Sequence, residues 1–410
     1  MTIGLDALEA LDRADPLAGF RDEFAMPPGV VYLDGNSLGA LPRATAGRVA
    51  EVVQREWGEG LIRSWNDAGW IGIADRVGAK IGRLVGAAPG TLVTADSTSV
   101  NIFKLLGVAL GLRPERTVIL SEAGNFPTDL YIAEGLISLL GGRHTLRQVP
   151  AGAIPGALGP DVAVLMLTHV NYRTGAMHDM AAVTAAAHAA GALVLWDLAH
   201  SAGAVPIDLE GAGADLAVGC GYKFLNGGPG APAFLYVAGR HQEAARYPIT
   251  GWLGHAEPFA FAPGYRPGAG IAGATVGTPS VLAMAALEVG VDIALRAPLE
   301  QVRAKSLRQA EILMALVAER CPGLVLATPR DGALRGSQVS FRHPEAYAVM
   351  QGLIARGVIG DFRTPDILRF GITPLTLRYA DLWAAVAALE DVLAAEVWRD
   401  ERFRVRQFVT

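Results

Sequence analysis

The sequence predicts an α/β fold: a mainly parallel sheet flanked by helices, followed by a smaller C-terminal α+β domain. Three observations carry this. Short apolar runs rich in Val, Ile and Leu recur between alanine-rich stretches of helical character. The runs are apolar at nearly every position, as expected of strands covered on both faces. From about residue 280 the texture changes to long helices interrupted by isolated strand candidates.

The strand candidates are "RTVILSE" (116–122), "DVAVLMLTH" (161–169), "ALVLWD" (192–197), "DLAVGC" (215–220) and "AFLYV" (233–237). Between two of them, "MAAVTAAAHAAG" (180–191) predicts a crossover helix closed by Gly191. Farther on, "PSVLAMAALEVGVDIAL" and "QVRAKSLRQAEILMALVAERCPG" predict consecutive helices. "GSQVSFRH" predicts a strand, and a last helix starts near Tyr379. The expected organisation is an N-terminal segment (1–45), a large domain (46–284) and a small C-terminal domain (285–410).

With 410 residues the chain can bury a large core, and 18% charged residues mark a globular protein. The net charge of −5, without a basic block, argues against nucleic acid and anionic membrane surfaces as partners. Two cysteines, Cys220 and Cys321, offer neither a disulfide framework nor a metal cluster, so no metal is expected. The acidic, amphipathic start lacks the basic and apolar regions of a signal peptide, and a cytoplasmic location is expected. The longest uncharged apolar run, Met180–Trp196, reads as helix, turn and strand rather than a membrane span.

Lysine usage is unusual. Of 35 basic residues only Lys80, Lys104, Lys223 and Lys305 are lysine. Lys223 stands in "GYKFLNGGPG", among glycines and apolar residues with no other charge. An amine can lose its proton and attack a carbonyl, which a guanidinium cannot do. One strand earlier, "LWDLAH" ends a strand on Asp197, with His200 three residues on. An aspartate there is as often a turn or cap residue. Paired with Lys223 across adjacent strand ends, it is half of a pyridoxal phosphate site: a carboxylate for the ring nitrogen, a lysine for the aldehyde. In "DSTSVNIFKLL" Ser97, Thr98 and Ser99 open a helix, where an anion is welcome, although an ordinary capped helix looks the same. "NFPTDLY" adds Phe126, which could stack on a ring, and Asp129 at another helix start.

Taken together, "YLDGNSLG", "NFPTD", "WDLAH", "GYKFLNGGPG" and "GWLGH" resemble the kynureninases in order and spacing, from about residue 20 to the C-terminus. That family belongs to the fold-type-I, aminotransferase-class-V group of pyridoxal-phosphate enzymes. The resemblance implies hydrolytic Cβ–Cγ cleavage of L-kynurenine to anthranilate and L-alanine, a step of tryptophan catabolism. It implies that Lys223 binds the cofactor covalently, Asp197 pairs with its ring nitrogen, and Phe126 lies on the ring. Thr98, Ser99, Asp129, Tyr222 and His200 would line the phosphate and ring edge, and Thr168 would sit near the ring hydroxyl. Trp252 and Thr278 would come from a second subunit, making the enzyme a homodimer with shared sites. Arg369, with Ser37 of "YLDGNSLG", would bind the substrate carboxylate, a task suited to a bidentate guanidinium. Tyr222 would serve as acid/base partner in the cleavage.

Relatives that favour the 3-hydroxylated substrate tend to carry His and Asn at two aryl-pocket positions. This chain has Trp65 and Thr278 there, so a preference for kynurenine itself is expected. Thr376 departs from the family pattern, which often has tyrosine after "PL". Two rival readings are a cysteine desulfurase or selenocysteine lyase of the same superfamily, and a paralogue acting on a substituted kynurenine. The first needs a mobile, exposed cysteine, and Cys321 at a helix end reads instead as a structural thiol.

Overall fold

Seven strands form the central sheet of the larger of two units in the computed structural model, which describes residues 3–407. They are β1 (Leu92–Thr94), β2 (Val118–Glu122), β3 (Thr145–Val149), β4 (Val162–Thr168), β5 (Leu193–Asp197), β6 (Leu216–Gly219) and β7 (Phe234–Val237). Their order is β1-β7-β6-β5-β4-β2-β3. Every pairing from β6 through β3 is parallel; β7 alone runs against both neighbours. β4, β5, β6 and β7 are buried at every residue, which explains their unbroken apolar sequences.

Two strands escape the sequence reading. β1 has three residues, too few to show a pattern. β3 is an edge strand, "TLRQV", whose mixed exposure mirrors its mixed composition. One face of the sheet packs Trp196, Val194 and Phe234 with Ile81 and Leu287; the other packs Leu195, Val218 and Leu235 with Leu105 and Ile119. Helix Met180–Ala189 is the expected crossover, closed by Gly191 at φ +76.

The helix Val281–Arg296 spans the expected domain boundary at 285. A small domain starting at 285 would take most of this helix with it, yet the larger unit runs to Leu295. The reason is packing: Met284, Leu287 and Val291 belong to the core of the large sheet. Gly290 lets the helix approach the lysine loop, since a Cβ there would lie 2.1 Å from the Leu225 carbonyl. Gly221, in turn, leaves space for Leu287, whose methyls would lie 2.9 Å from a Cβ.

The smaller unit holds the chain up to Ala44, the short segment Tyr172–Met177, and the chain from Arg296. The N-terminal segment is therefore part of this unit rather than a separate piece. Leu8 of helix Leu5–Arg13 lies in its core with Leu313 and Val386. Asp12 accepts hydrogen bonds from the N–H groups of Tyr379 (2.6 Å) and Ala380 (3.0 Å), capping helix Tyr379–Ala394. Its sheet is four-stranded: β8 (Val325–Leu326), β9 (Gln338–Arg342), β10 (Asp361–Arg363) and β11 (Ile367–Gly371), ordered β10-β11-β9-β8 and antiparallel throughout. The first two residues of the N-terminal segment and the last three of the small domain lie outside the described residues. No helix among the described residues is long and apolar enough to cross a membrane.

Candidate active site

The carboxyl ends of β2, β4, β5 and β6 converge on one set of polar side chains, the usual place for a site in such a sheet. Thr168 and Asp197, the last residues of β4 and β5, are direct register partners. Asp197 is wholly buried, and its carboxylate accepts the Ala199 N–H at 2.8 Å. After β6 the chain turns through Cys220 and Gly221 to Tyr222 and Lys223. The Lys223 amine lies 3.0 Å from Nε2 of the buried His200. The other three lysines are engaged by carboxylates: Lys80 by Glu288 and Asp292, Lys104 by Asp96, Lys305 by Asp15. Lys223 differs in meeting an imidazole.

Asp129, in the first turn of helix Pro127–Leu139, is buried beside Asp197. Burial, and then the charge of Asp197, pushes the Asp129 carboxyl well above its ordinary value. Burial also raises Asp197, but Lys223, the Ala199 N–H and a hydrogen bond with Asp129 work against it. Both carboxyls are thus raised by burial, Asp129 well above its ordinary value, and the two titrate as a pair. The Thr168 hydroxyl donates to Asn125 and lies 3.5 Å from Asp129. Asn125 also holds Ser121 and accepts the Phe126 N–H at 2.8 Å. Sequence reasoning passes over Asn125; its place just before Phe-Pro at a helix start is the available signal. Burial raises the Tyr222 phenol, and the neighbouring Cys220 and Asp197 add to the effect.

Helix Thr98–Leu112 starts where expected, with the Ser97 hydroxyl accepting the Val100 N–H at 3.3 Å. Thr98 and Ser99 occupy its first turn, and the buried Thr98 hydroxyl has no hydrogen-bond partner among the described residues. Phe126 is exposed at the start of the next helix. Trp252 stands in a 3₁₀ turn against Phe259, with ring centres 5.6 Å apart. Thr278 lines a cavity of about 430 Å³ with Thr94, Asp96, Gly230 and Pro232. Trp65 is half-buried and meets Trp70 edge-on at 6.2 Å.

Arg369 and Ser37 belong to the smaller unit. Arg369 is fully buried on β11. Its Nε donates to Asp361 at 2.8 Å, one terminal nitrogen to the Tyr172 carbonyl at 2.7 Å, and the other to Ser37 Oγ at 2.6 Å and to Asp361. Ser37 in turn donates to Asp361 at 2.7 Å. Asp361 does not stand out in the sequence. It is the cross-strand partner of Arg369 in the β10–β11 hairpin, so recognising that hairpin would find it. Burial and the nearby Asp361 push the Asp34 carboxyl up to about 7. Thr376 shares a hydrogen bond with Thr373 at 2.9 Å, both within the small unit. Cys220 and Cys321 are both buried. That disfavours the sulfur-transfer reading, which requires a mobile thiol.

Among solved structures, the fold is shared with the cystine C–S lyase C-DES, in a mutant with glycine covalently linked to its PLP cofactor. The TM-score is 0.80 at 19% identity, covering 90% of this chain and 99% of that one. It is shared too with an apo cysteine desulfurase from Thermococcus onnurineus NA1, with TM-score 0.77 at 16% identity, covering 92% and 98%. What these structures share with the chain is the fold, a mainly parallel sheet flanked by helices. Residues 302–389 match the model of the kynureninase C-terminal domain. Kynureninases of Burkholderia pseudomallei (strain 1106a) and Pseudomonas fluorescens are 54% and 51% identical to this chain, over 98% and 100% of both lengths. The chain belongs to the kynureninase family.

Proposed function

We propose that this chain is a pyridoxal-phosphate-dependent kynureninase that hydrolyses the Cβ–Cγ bond of L-kynurenine, giving anthranilate and L-alanine. Family membership over the whole chain supports the reaction. The observation that carries the reading is the placement of Lys223 and the buried Asp197 at neighbouring strand ends, with Asp129 beside them.

The residues fit the cofactor. The Thr98 hydroxyl, buried at the start of a 15-residue helix and without a partner among the described residues, suits a phosphate oxygen. When bound, pyridoxal phosphate supplies an electron sink for negative charge developing on the substrate carbons. Asp197 would hold a proton on the ring nitrogen. Asp129, itself protonated, would donate to Asp197 without adding a second charge. Phe126 would cover the ring, and Thr168 with Asn125 would lie towards its hydroxyl. Ser99 and Tyr222 would join Thr98 at the phosphate, completed by Trp252 and Thr278 of a second copy in a homodimer.

Lys223 Nζ would bind the cofactor aldehyde and then, once released, move the proton of the substrate α-carbon. His200, 3.0 Å from that amine, would hold it in line. Arg369 would take the substrate carboxylate by giving up its Ser37 contact while Asp361 keeps its plane fixed. Trp65 and Thr278 would bound the aryl ring and favour kynurenine over its 3-hydroxy form. Tyr222, whose phenol keeps its proton, would supply that proton to the β-carbon. A cytoplasmic setting fits this chemistry.

Borohydride treatment of the purified holoenzyme should trap the cofactor on Lys223, and added kynurenine should yield anthranilate fluorescence. Cofactor on another residue, or no anthranilate, would refute the proposal. Tyr222→Phe should slow turnover about a hundredfold while the cofactor absorbance stays in place.

A further inference from the structure

The α-helix Arg43–Glu51 passes directly into a π-helix, Val52–Gly60. Such wide turns are rare, seldom run this long, and concentrate at functional sites. Here the widened turn presents Glu56, whose side chain is only 14% exposed. Its carboxylate is held from two sides. Arg48 donates to one oxygen at 2.6 Å, and the indole N–H of Trp70 donates to the other at 2.6 Å. The Glu56 carbonyl accepts the Ser64 hydroxyl at 2.5 Å, which anchors the short helix Ser64–Asp67 carrying Trp65. Gly60 is required at this closure, since a Cβ there would lie 2.0 Å from the Ser64 oxygen.

Trp70 connects two places that sequence keeps far apart. On one side it meets the Trp65 ring edge-on, at 6.2 Å and 80°. On the other it lines a cleft of about 270 Å³ together with Val52, Trp57 and Pro279–Leu282, the segment directly after Thr278. One carboxylate therefore fixes the indole standing between the segments that carry Trp65 and Thr278. Charge-assisted hydrogen bonds from Arg48 and Trp70 make that fixing strong and directional.

We propose that Glu56 and Trp70 are positioning residues for the aryl-binding wall: Glu56 locks the Trp70 indole, and Trp70 sets Trp65 and the 278–280 segment against the aromatic ring of the substrate. The proposal rests on the reading of Trp65 and Thr278 as aryl-pocket residues. Neither positioning residue touches the reacting atoms. Their effect falls on substrate binding and on discrimination at the ring, not on the proton transfers at Lys223.

The test uses the holoenzyme with kynurenine and 3-hydroxykynurenine in parallel. Glu56→Ala and Trp70→Phe should each raise KM for kynurenine about tenfold and narrow the kcat/KM ratio between the two substrates. Their kcat should change by less than about threefold, with the lysine-bound cofactor absorbance unmoved. The double variant should be little worse than either single one, because both break one link. Glu56→Gln, which keeps an acceptor for Trp70, should recover part of the loss. Parental KM and parental ratio in Glu56→Ala would overturn the proposal. Should that variant be insoluble, the same parental values in Trp70→Phe would overturn it. Trp65→Phe separates the two layers. If it leaves KM and ratio parental, the aryl-pocket reading itself falls. If it shifts them while the Glu56 and Trp70 variants do not, only the positioning role falls.

Discussion

Two buried charge clusters, one in each unit, are built on opposite plans. In the larger unit Asp129, Asp197, Lys223 and His200 sit at the ends of parallel strands. There burial raises both carboxyls, and the lysine meets an imidazole at hydrogen-bond distance. In the smaller unit Asp361 meets both Arg369 and Arg363, with Ser37 filling the remaining valence. That cluster is nearly complete in itself. The difference follows from topology. Parallel strand ends bring loops together and leave side chains pointing into open space. An antiparallel hairpin places Asp361 directly opposite Arg369 and lets them pair. Among the described residues Lys223 is thus left without a carboxylate in hydrogen-bond contact, whereas the Arg369 guanidinium is held in place by Asp361.

The contrast can be broken most sharply at the first cluster. Asp197→Asn should reduce turnover about a thousandfold, because the ring nitrogen loses its counter-charge. Asp129→Asn, which replaces a neutral donor by another of the same shape, should stay within about tenfold of the parent. Equal losses in steady-state kcat would show that both carboxyls are charged.

Next comes the second cluster. Arg369→Ala leaves Asp361 buried with one partner fewer, and breaking such a pair costs about 3–5 kcal/mol. Denaturant unfolding should register that loss, and KM for kynurenine should rise in parallel. A rise in KM with no loss of stability would mean that Arg369 and Asp361 do not depend on one another.

The pH dependence of stability gives a smaller effect with opposite signs in the two units. Asp34 is raised from 3.8 to about 7, so its folded form holds a proton that the unfolded chain has lost. Its contribution is complete at low pH and disappears as pH rises through about 7. Asp34→Asn should flatten that decline and stabilise the protein above pH 7 in thermal melts. Asp215 behaves in reverse. Burial alone would raise it, but His241, His188 and the Val194 N–H outweigh burial and bring it down to about 2. Its contribution is present above the ordinary 3.8 and is lost as pH falls through about 2. Asp215→Asn should therefore weaken the fold at neutral pH and remove that acid-side loss.

The smallest change is expected at Cys321, a buried thiol that burial pushes up to about 11. Cys321→Ser should leave kynurenine turnover within about twofold of the parent. A large loss of turnover would return the sulfur-handling reading to consideration.

Much of the fold and of the site is legible in the amino-acid sequence. Unbroken apolar runs identify the covered parallel strands, and the scarcity of lysine singles out Lys223. What escapes is pairing between distant residues. Asn125 and Asp361 carry no sequence signal of their own; each gains meaning from the side chain it meets, Thr168 in one case and Arg369 in the other. Helix Val281–Arg296 has a composition that suits either unit, and only the seat of Leu287 beneath the lysine loop decides the matter. The π-helix is equally silent, since its residues read as an ordinary continuation of the preceding helix.

By itself, then, the sequence determined the layer architecture and the family, because strand periodicity, residue chemistry and motif spacing are local properties of the chain. Only the tertiary structure decided which carboxyls burial raises and which guanidinium is already paired. It alone showed how Glu56 reaches through Trp70 towards Trp65. Those outcomes depend on burial and on charges brought within a few ångströms by folding, and neither is written at any single position.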